Sequence, residues 1–346
     1  MKNKPMLKII VNVLLMLAMV GIAFYVVDRS LSEVFAQLLK TSLVVMLAVT
    51  SLGLLYQVVE GRSIKEIGGR FQSDFSTKDG LLASCYVAFY RVVSFGTGTL
   101  VSEVLFYRKR GFSTSQGVGI TALHMIMYKL AVIFLAVLGL IFQFGLLYSS
   151  APKMIPFVLA GMVISFLIVF VILALTVSIG LQVFLTVWAN KHITRPKLRE
   201  WVDKYNIQIY SLRETMQRVL EDRSAMLRIF VWNVAKVLIW LFIPYVALVQ
   251  GHPSLDLLQT LSYTAFSIVL AGVIPTPAGI GSFEFVFLLL FKPLVGTVDA
   301  VSSLLLYRFA SFVFPFLIGM VYVMIEKRKE IKEEIIAVRE EESPLE

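Results

Sequence analysis

The chain is short of charge, cysteine and histidine, and each shortage removes a class of function. Only 16% of its 346 residues are Asp, Glu, Lys or Arg, while 58% are hydrophobic. That leaves too little polar surface to cover a water-soluble domain of this size. The lone Cys85 excludes an internal disulfide and a cysteine-rich metal site. His124, His192 and His252 stand far apart, without the HExxH spacing of a zinc hydrolase, and no GxxxxGK[ST] loop is present. ATP-driven pumping by this chain alone is therefore not expected, and the sequence implies no cofactor or metal. The net charge of +9 is assigned to a membrane surface, which attracts lysine and arginine, and not to nucleic acid.

What is present is a series of long apolar runs, near 7–27, 43–59, 81–107, 117–147, 155–187, 226–249, 257–298 and 300–325. Several exceed the roughly 18 residues needed to cross a hydrocarbon core. The first run has no small-residue cleavage site after it and reads as an uncleaved helix. Two runs are broken, one at 95–99 around Gly96 and Gly98, the other at 274–281 around Pro275, Pro277, Gly279 and Gly281. Such turns free backbone groups that lipid cannot satisfy, so they must lie in protein or face water.

Loop charge decides how the broken runs thread. If each returns to its own side as a re-entrant hairpin, the N-terminus, 60–80, 108–110, 188–224 and the C-terminus share one side and hold 23 Lys/Arg. The opposite loops hold four, Arg29, Lys40, Lys153 and Lys292. The positive-inside rule favours this threading. The expected fold is all-α, a polytopic membrane protein with about six full spans, two opposed re-entrant hairpins and both termini in the cytoplasm. A single transmembrane domain over 1–325 and a charged tail over 326–346 follow from the same pattern.

The two halves echo each other. Gly98 precedes Glu103 by five residues and Gly279 precedes Glu284 by five; Tyr128-Lys129 and Tyr307-Arg308 then open similar apolar helices. This spacing predicts an inverted repeat, with halves near 43–147 and 226–325 and a site at their interface. Between them, 190–224 carries apolar residues at helical spacing with basic residues among them, the pattern of an amphipathic cytoplasmic helix.

Arg91, Lys129, Arg228, Lys236 and Arg308, with Glu103 and Glu284, fall inside apolar runs. A charge at the bilayer centre is costly, so such residues face a cavity or each other. Arg228 can snorkel to the interface. Glu103 with Lys129 and Glu284 with Arg308 are candidate ion pairs. Arginine and lysine beside glycine turns suit an anionic head group, so Glu103, Lys129, Glu284, Arg308, Arg91 and Lys236 form the candidate binding set.

The segments VIPTPAGIGSFEF and LLLYRFASFVFPFLIG resemble the signature of the lysylphosphatidylglycerol synthase transmembrane family, also called the flippase-like or YbhN family. The carrying residues are Pro275, Pro277, Gly279, Gly281, Glu284, Tyr307 and Arg308. The first half is similar through Gly98, Glu103, Arg108-Lys109-Arg110-Gly111 and Lys129, but lacks the proline and has lysine where the family has arginine. The resemblance implies a translocase of the bacterial cytoplasmic membrane, moving a phospholipid, aminoacyl-phospholipid or glycolipid head group. It covers the membrane half of MprF-type proteins, without their soluble aminoacyltransferase domain. Lysyl transfer to phosphatidylglycerol, and membrane docking of a cytoplasmic glycosyltransferase, are the alternatives; a second copy of the chain is a further candidate partner.

Overall fold

The computed structural model describes residues 41–94, 98–150, 152–193, 196–274 and 281–342. The expected first span near 7–27 and the turn residues Gly96, Pro275, Pro277 and Gly279 lie outside the described residues. Every regular element among the described residues is helical: α1 (Leu43–Gly68), α2 (Thr77–Val93), α3 (Thr99–Lys109), α4 (Thr114–Ser150), α5 (Ile155–Val177), α6 (Ile179–His192), α7 (Pro196–Leu220), α8 (Arg223–Leu248), α9 (Leu257–Ala271), α10 (Ser282–Arg308) and α11 (Phe314–Glu342). A short 3-10 turn, Pro152–Met154, joins α4 to α5, and a π turn, Phe309–Val313, joins α10 to α11.

Among the described residues, five helical stretches are long and apolar enough to cross a membrane: Leu43–Gly68, Thr114–Ser149, Pro152–Thr176, Arg223–Leu248 and Ser282–Glu333. At 1.5 Å per residue, the 17 residues of α2, 11 of α3 and 15 of α9 each fall short of a core about 30 Å thick. The expected loop 60–80 begins as helix, because α1 runs on to Gly68 and buries Glu60 and Glu66. The expected run 155–187 is divided at Ser178, whose extended backbone ends α5 and whose hydroxyl caps α6. The amphipathic segment is helix α7, packed on α4, α5 and α8.

Capping residues set where helices start. Ser42, Ser76, Asp222 and Asp256 each accept a backbone N–H at the N-termini of α1, α2, α8 and α9. Ser76 and Asp79 complete a reciprocal capping box. The Ser224 hydroxyl and then Arg70 hold the Asp222 carboxyl below its ordinary range.

A shift of 180 residues carries α1 (43–68) onto α8 (223–248) and the start of α2 (77) onto the start of α9 (257). The same shift exchanges contacts. Ser42 Oγ donates to Gln250 Oε1 at 2.8 Å, and Arg70 donates to Asp222 at 2.6 Å. Tyr56 stacks on Trp240, and Lys236 pairs with Glu60. In both cases, moving one member up by 180 and the other down turns one contact into the other. α1 and α8 therefore form an antiparallel pair with the reciprocity of an isologous interface.

Ion pairs gather the basic segments at one end of the molecule. Arg70 meets Asp222, Arg110 meets Asp79, and Lys109 meets Glu326 and Glu330. The Arg110–Asp79 pair also joins the end of α3 to the start of α2, so this broken segment returns to the end it left. Elsewhere, His252 in the loop between α8 and α9 meets Asp299 of α10 at 2.8 Å, just beyond Gly296, where φ of 79° breaks α10.

Close backbone approach sets the α1–α2 crossing. A Cβ on Gly61 would lie 2.6 Å from the Thr77 carbonyl oxygen and 2.7 Å from the Leu81 nitrogen. Small residues at membrane helix crossings permit such contact. Gly80→Val at the facing position is expected to lower stability by about 3 kcal/mol, since backbone cannot move aside. Gly145→Ala, with nothing within 4 Å, is expected to be neutral or stabilising by up to about 1 kcal/mol. Thermal unfolding of the two variants in detergent checks this; equal midpoints would refute the crossing.

Candidate functional site

The charged residues inside the bundle form two groups joined by aromatic rings. The deeper group is centred on Lys236 of α8, whose side chain is 1% exposed. Its ammonium pairs with Glu60 of α1, lies 2.9 Å from His124 Nε2 on α4, and sits 5.1 Å from the centre of the Tyr128 ring. His124 Nε2 is 3.3 Å from Glu60 Oε1, and its Nδ1 is 4.0 Å from Glu103 Oε1 on α3. Tyr107 donates to the same Glu103 oxygen at 3.3 Å. Beside this group Asn233 donates to Ser63 Oγ at 2.8 Å, a second polar tie between α8 and α1.

The second group is the Glu284–Arg308 ion pair, with side chains 26% and 20% exposed. Local sequence positions both residues. Gly281 begins α10 at φ 97°, a conformation that residues with a Cβ avoid. Its N–H donates to Glu284 Oε2 at 2.7 Å, so a helix cap fixes the carboxylate. Arg308 ends α10 immediately before the π turn, and Pro315 supplies no backbone donor in the turn that follows. The guanidinium lies 5.3 Å from the Phe283 ring centre and 6.0 Å from that of Phe312, within cation–π range.

Aromatic rings connect the groups. Tyr56 and Trp240 stack with centroids 4.2 Å apart; Trp240 meets Tyr128 at 6.1 Å and Tyr307 at 6.4 Å. Tyr307 stacks on Phe283 at 4.7 Å, under Arg308. Arg91, at the end of α2, bears electrostatically on the Tyr56 and Tyr128 hydroxyls.

Lys129 is not paired with Glu103; Glu103 faces His124 and Tyr107 instead. Lys129 lies at the end of α9, with its Nζ 3.8 Å from where a Cβ on Gly272 would sit. Arg91 and Lys129 make no ion pair among the described residues. Arg228 is held at the helix end by Ser224, Glu66 and Asp222, as snorkelling implies. Gly98 caps α3 beside Ser94, whose hydroxyl accepts its N–H at 2.9 Å.

Lys129 also lines a cavity of about 430 Å³ between α3, α4, α5 and α7, otherwise walled mainly by apolar residues such as Leu100, Val104, Met125 and Ile172. Tyr205 and Gln208 of the amphipathic helix form part of its wall.

The lysylphosphatidylglycerol synthase TM region matches residues 9–319. The chain belongs to that family. This places it in a membrane domain linked to lipid modification or translocation, in accord with the long apolar helices. No curated protein matches the chain.

Two residues of the deep group, Glu60 and His124, escape the sequence reading. Glu60 opens the expected basic loop 60–80, two residues before Arg62, and reads as loop; His124 has no partner at helical spacing. The 180-residue shift could have flagged Glu60, because it carries Tyr56 onto the buried cation Lys236 and Glu60 onto Trp240 one turn away.

A buried pair that loses one member leaves an uncompensated charge, at a cost of about 3–5 kcal/mol. Lys236→Met is therefore expected to destabilise strongly, and Lys236→Met with Glu60→Leu to recover part of the loss. Unfolding in detergent measures both. A single variant as stable as the parent would show that the pair does not organise the core.

Proposed function

We propose that the protein moves a lipid head group across the bacterial cytoplasmic membrane, with the acyl chains remaining in lipid. In this reading α2–α3 and α9–α10 are re-entrant hairpins entering from opposite faces. They belong to inverted halves near 43–147 and 226–325, and the basic end, with both termini, faces the cytoplasm. The gathering of basic segments at one end supports that orientation. The reciprocal α1–α8 contacts support alternating access by motion of one half against the other.

The observation that carries the proposal is the partly exposed Glu284–Arg308 pair, beside Lys129 and Arg91, which make no ion pair among the described residues. A guanidinium presents a fork that fits phosphate, and Glu284 holds it in place when no anion is bound. An arriving phosphate or glycolipid anion displaces the carboxylate, and Lys129 adds a point charge at the mouth of the apolar cavity. That cavity has the apolar lining and volume of a small-molecule site and suits a lipid tail. Nothing in the two groups resembles an activated nucleophile, so the arrangement suits binding better than group transfer.

Proteoliposomes carrying labelled phosphatidylglycerol test this. Wild-type protein is expected to equilibrate the label between leaflets, and Arg308→Ala to slow it about tenfold to a hundredfold, the loss of one charged hydrogen bond. Equal rates for Arg308→Ala and wild type, both well folded, would overturn the reading.

A further inference from the structure

The deep group contains chemistry that head-group binding does not use. Glu60, Glu103, His124 and Lys236 are all buried and in mutual contact through His124. With a neutral imidazole, two carboxylates face one ammonium and the group carries one net negative charge. One added proton makes it neutral, and neutrality is strongly favoured where water is excluded.

We propose that this group is a binding site for one proton, carried on His124 and shared with Glu103, and that loading it releases a contact between α4 and α8. Donor and acceptor chemistry supplies the release. An ammonium only donates, so the 2.9 Å contact between Lys236 Nζ and His124 Nε2 requires that Nε2 accept. The imidazole proton is then on Nδ1, directed toward Glu103 Oε1 at 4.0 Å. When a proton from water binds Nε2, two donors face each other at that distance. Lys236 must turn wholly to Glu60, or His124 must turn so that its new N–H donates to Glu60, now 3.3 Å away. Either movement breaks the Lys236–His124 contact between α8 and α4, and loss of the proton restores it. The site has two arrangements, and the proton selects one.

The surrounding titratable and charged groups are Tyr56 and Glu60 from α1, Cys85 from α2, Glu103 and Tyr107 from α3, Tyr128 from α4 itself, and Lys236 from α8. Arg91 of α2 reaches them through its field on Tyr128 and Tyr56. Thr121 lines the 430 Å³ cavity and its buried hydroxyl bears on the Glu103 carboxyl, so the cavity wall is the nearest approach to the group. Use of this proton as the coupling ion for lipid movement rests on the translocase reading; the proton site itself does not.

Two measurements on the full chain separate the claims. With His192→Gln and His252→Gln as background, ring-¹⁵N histidine in nanodiscs reports His124 alone. In a titration swept from about pH 8 to pH 5, a second ring N–H is expected to appear, and the change to be altered in Glu103→Gln. A His124 that holds one state across that range overturns the proton site. In proteoliposomes, one proton per lipid predicts about a tenfold change in the leaflet ratio of labelled phosphatidylglycerol per unit of imposed pH difference. That dependence is expected to vanish in His124→Gln, checked for folding by its helical content and monodispersity. Lipid movement by wild type that ignores the pH gradient overturns the coupling. If wild type moves no lipid, the translocase reading fails and the titration alone decides the proton site.

Discussion

The contact between Lys236 and Glu60 constrains the rest of the structure. Neither charge can be left against lipid, so α1 and α8 must meet in the one register that joins them. That register stacks Tyr56 on Trp240 a turn away and brings Asn233 to Ser63. At the helix ends it closes Ser42 on Gln250 and Arg70 on Asp222. A buried ion pair is weak evidence for net stability, because desolvation offsets much of the attraction. Its effect here is on specificity, since any slip of α1 along α8 strands a charge.

Around this pair the helices divide by what surrounds them. α5 is apolar on all sides and has many of its large side chains exposed, as a helix facing lipid should. α2, α3 and α9 are too short to cross, and α3 brings Glu103 into the bundle where it is buried. The broken segments are tolerated because their ends are capped. Gly281 and Glu284 show the economy of this arrangement, one hydrogen bond both starting a helix and aiming a carboxylate at Arg308.

The two charged groups differ in access, and this suggests a division of work. Glu284 and Arg308 are partly open and flanked by aromatic faces, which suits an exchangeable anion. Glu60, Lys236, His124 and Glu103 are sealed and hold one another, which suits a small ion or a structural lock. Tyr56, Trp240, Tyr128 and Tyr307 lie between them in continuous ring contact.

Composition and apolar length determined membrane embedding and an all-helical chain, because a bilayer permits few other solutions to backbone hydrogen bonding. Spacing also disclosed Glu284 with Arg308, since both lie in the conspicuous second motif and the Gly281 cap is local. The partner of Glu103 was not legible. A similar spacing to Lys129 says how far apart two residues are along the chain, but not which helix faces turn toward each other. Glu60 and His124 were hidden for the same reason: neither stands out until α1, α4 and α8 are brought together. Local chemistry writes helices and caps into sequence, whereas a buried charge cluster is a property of three helix faces at once, and only packing decides which faces meet.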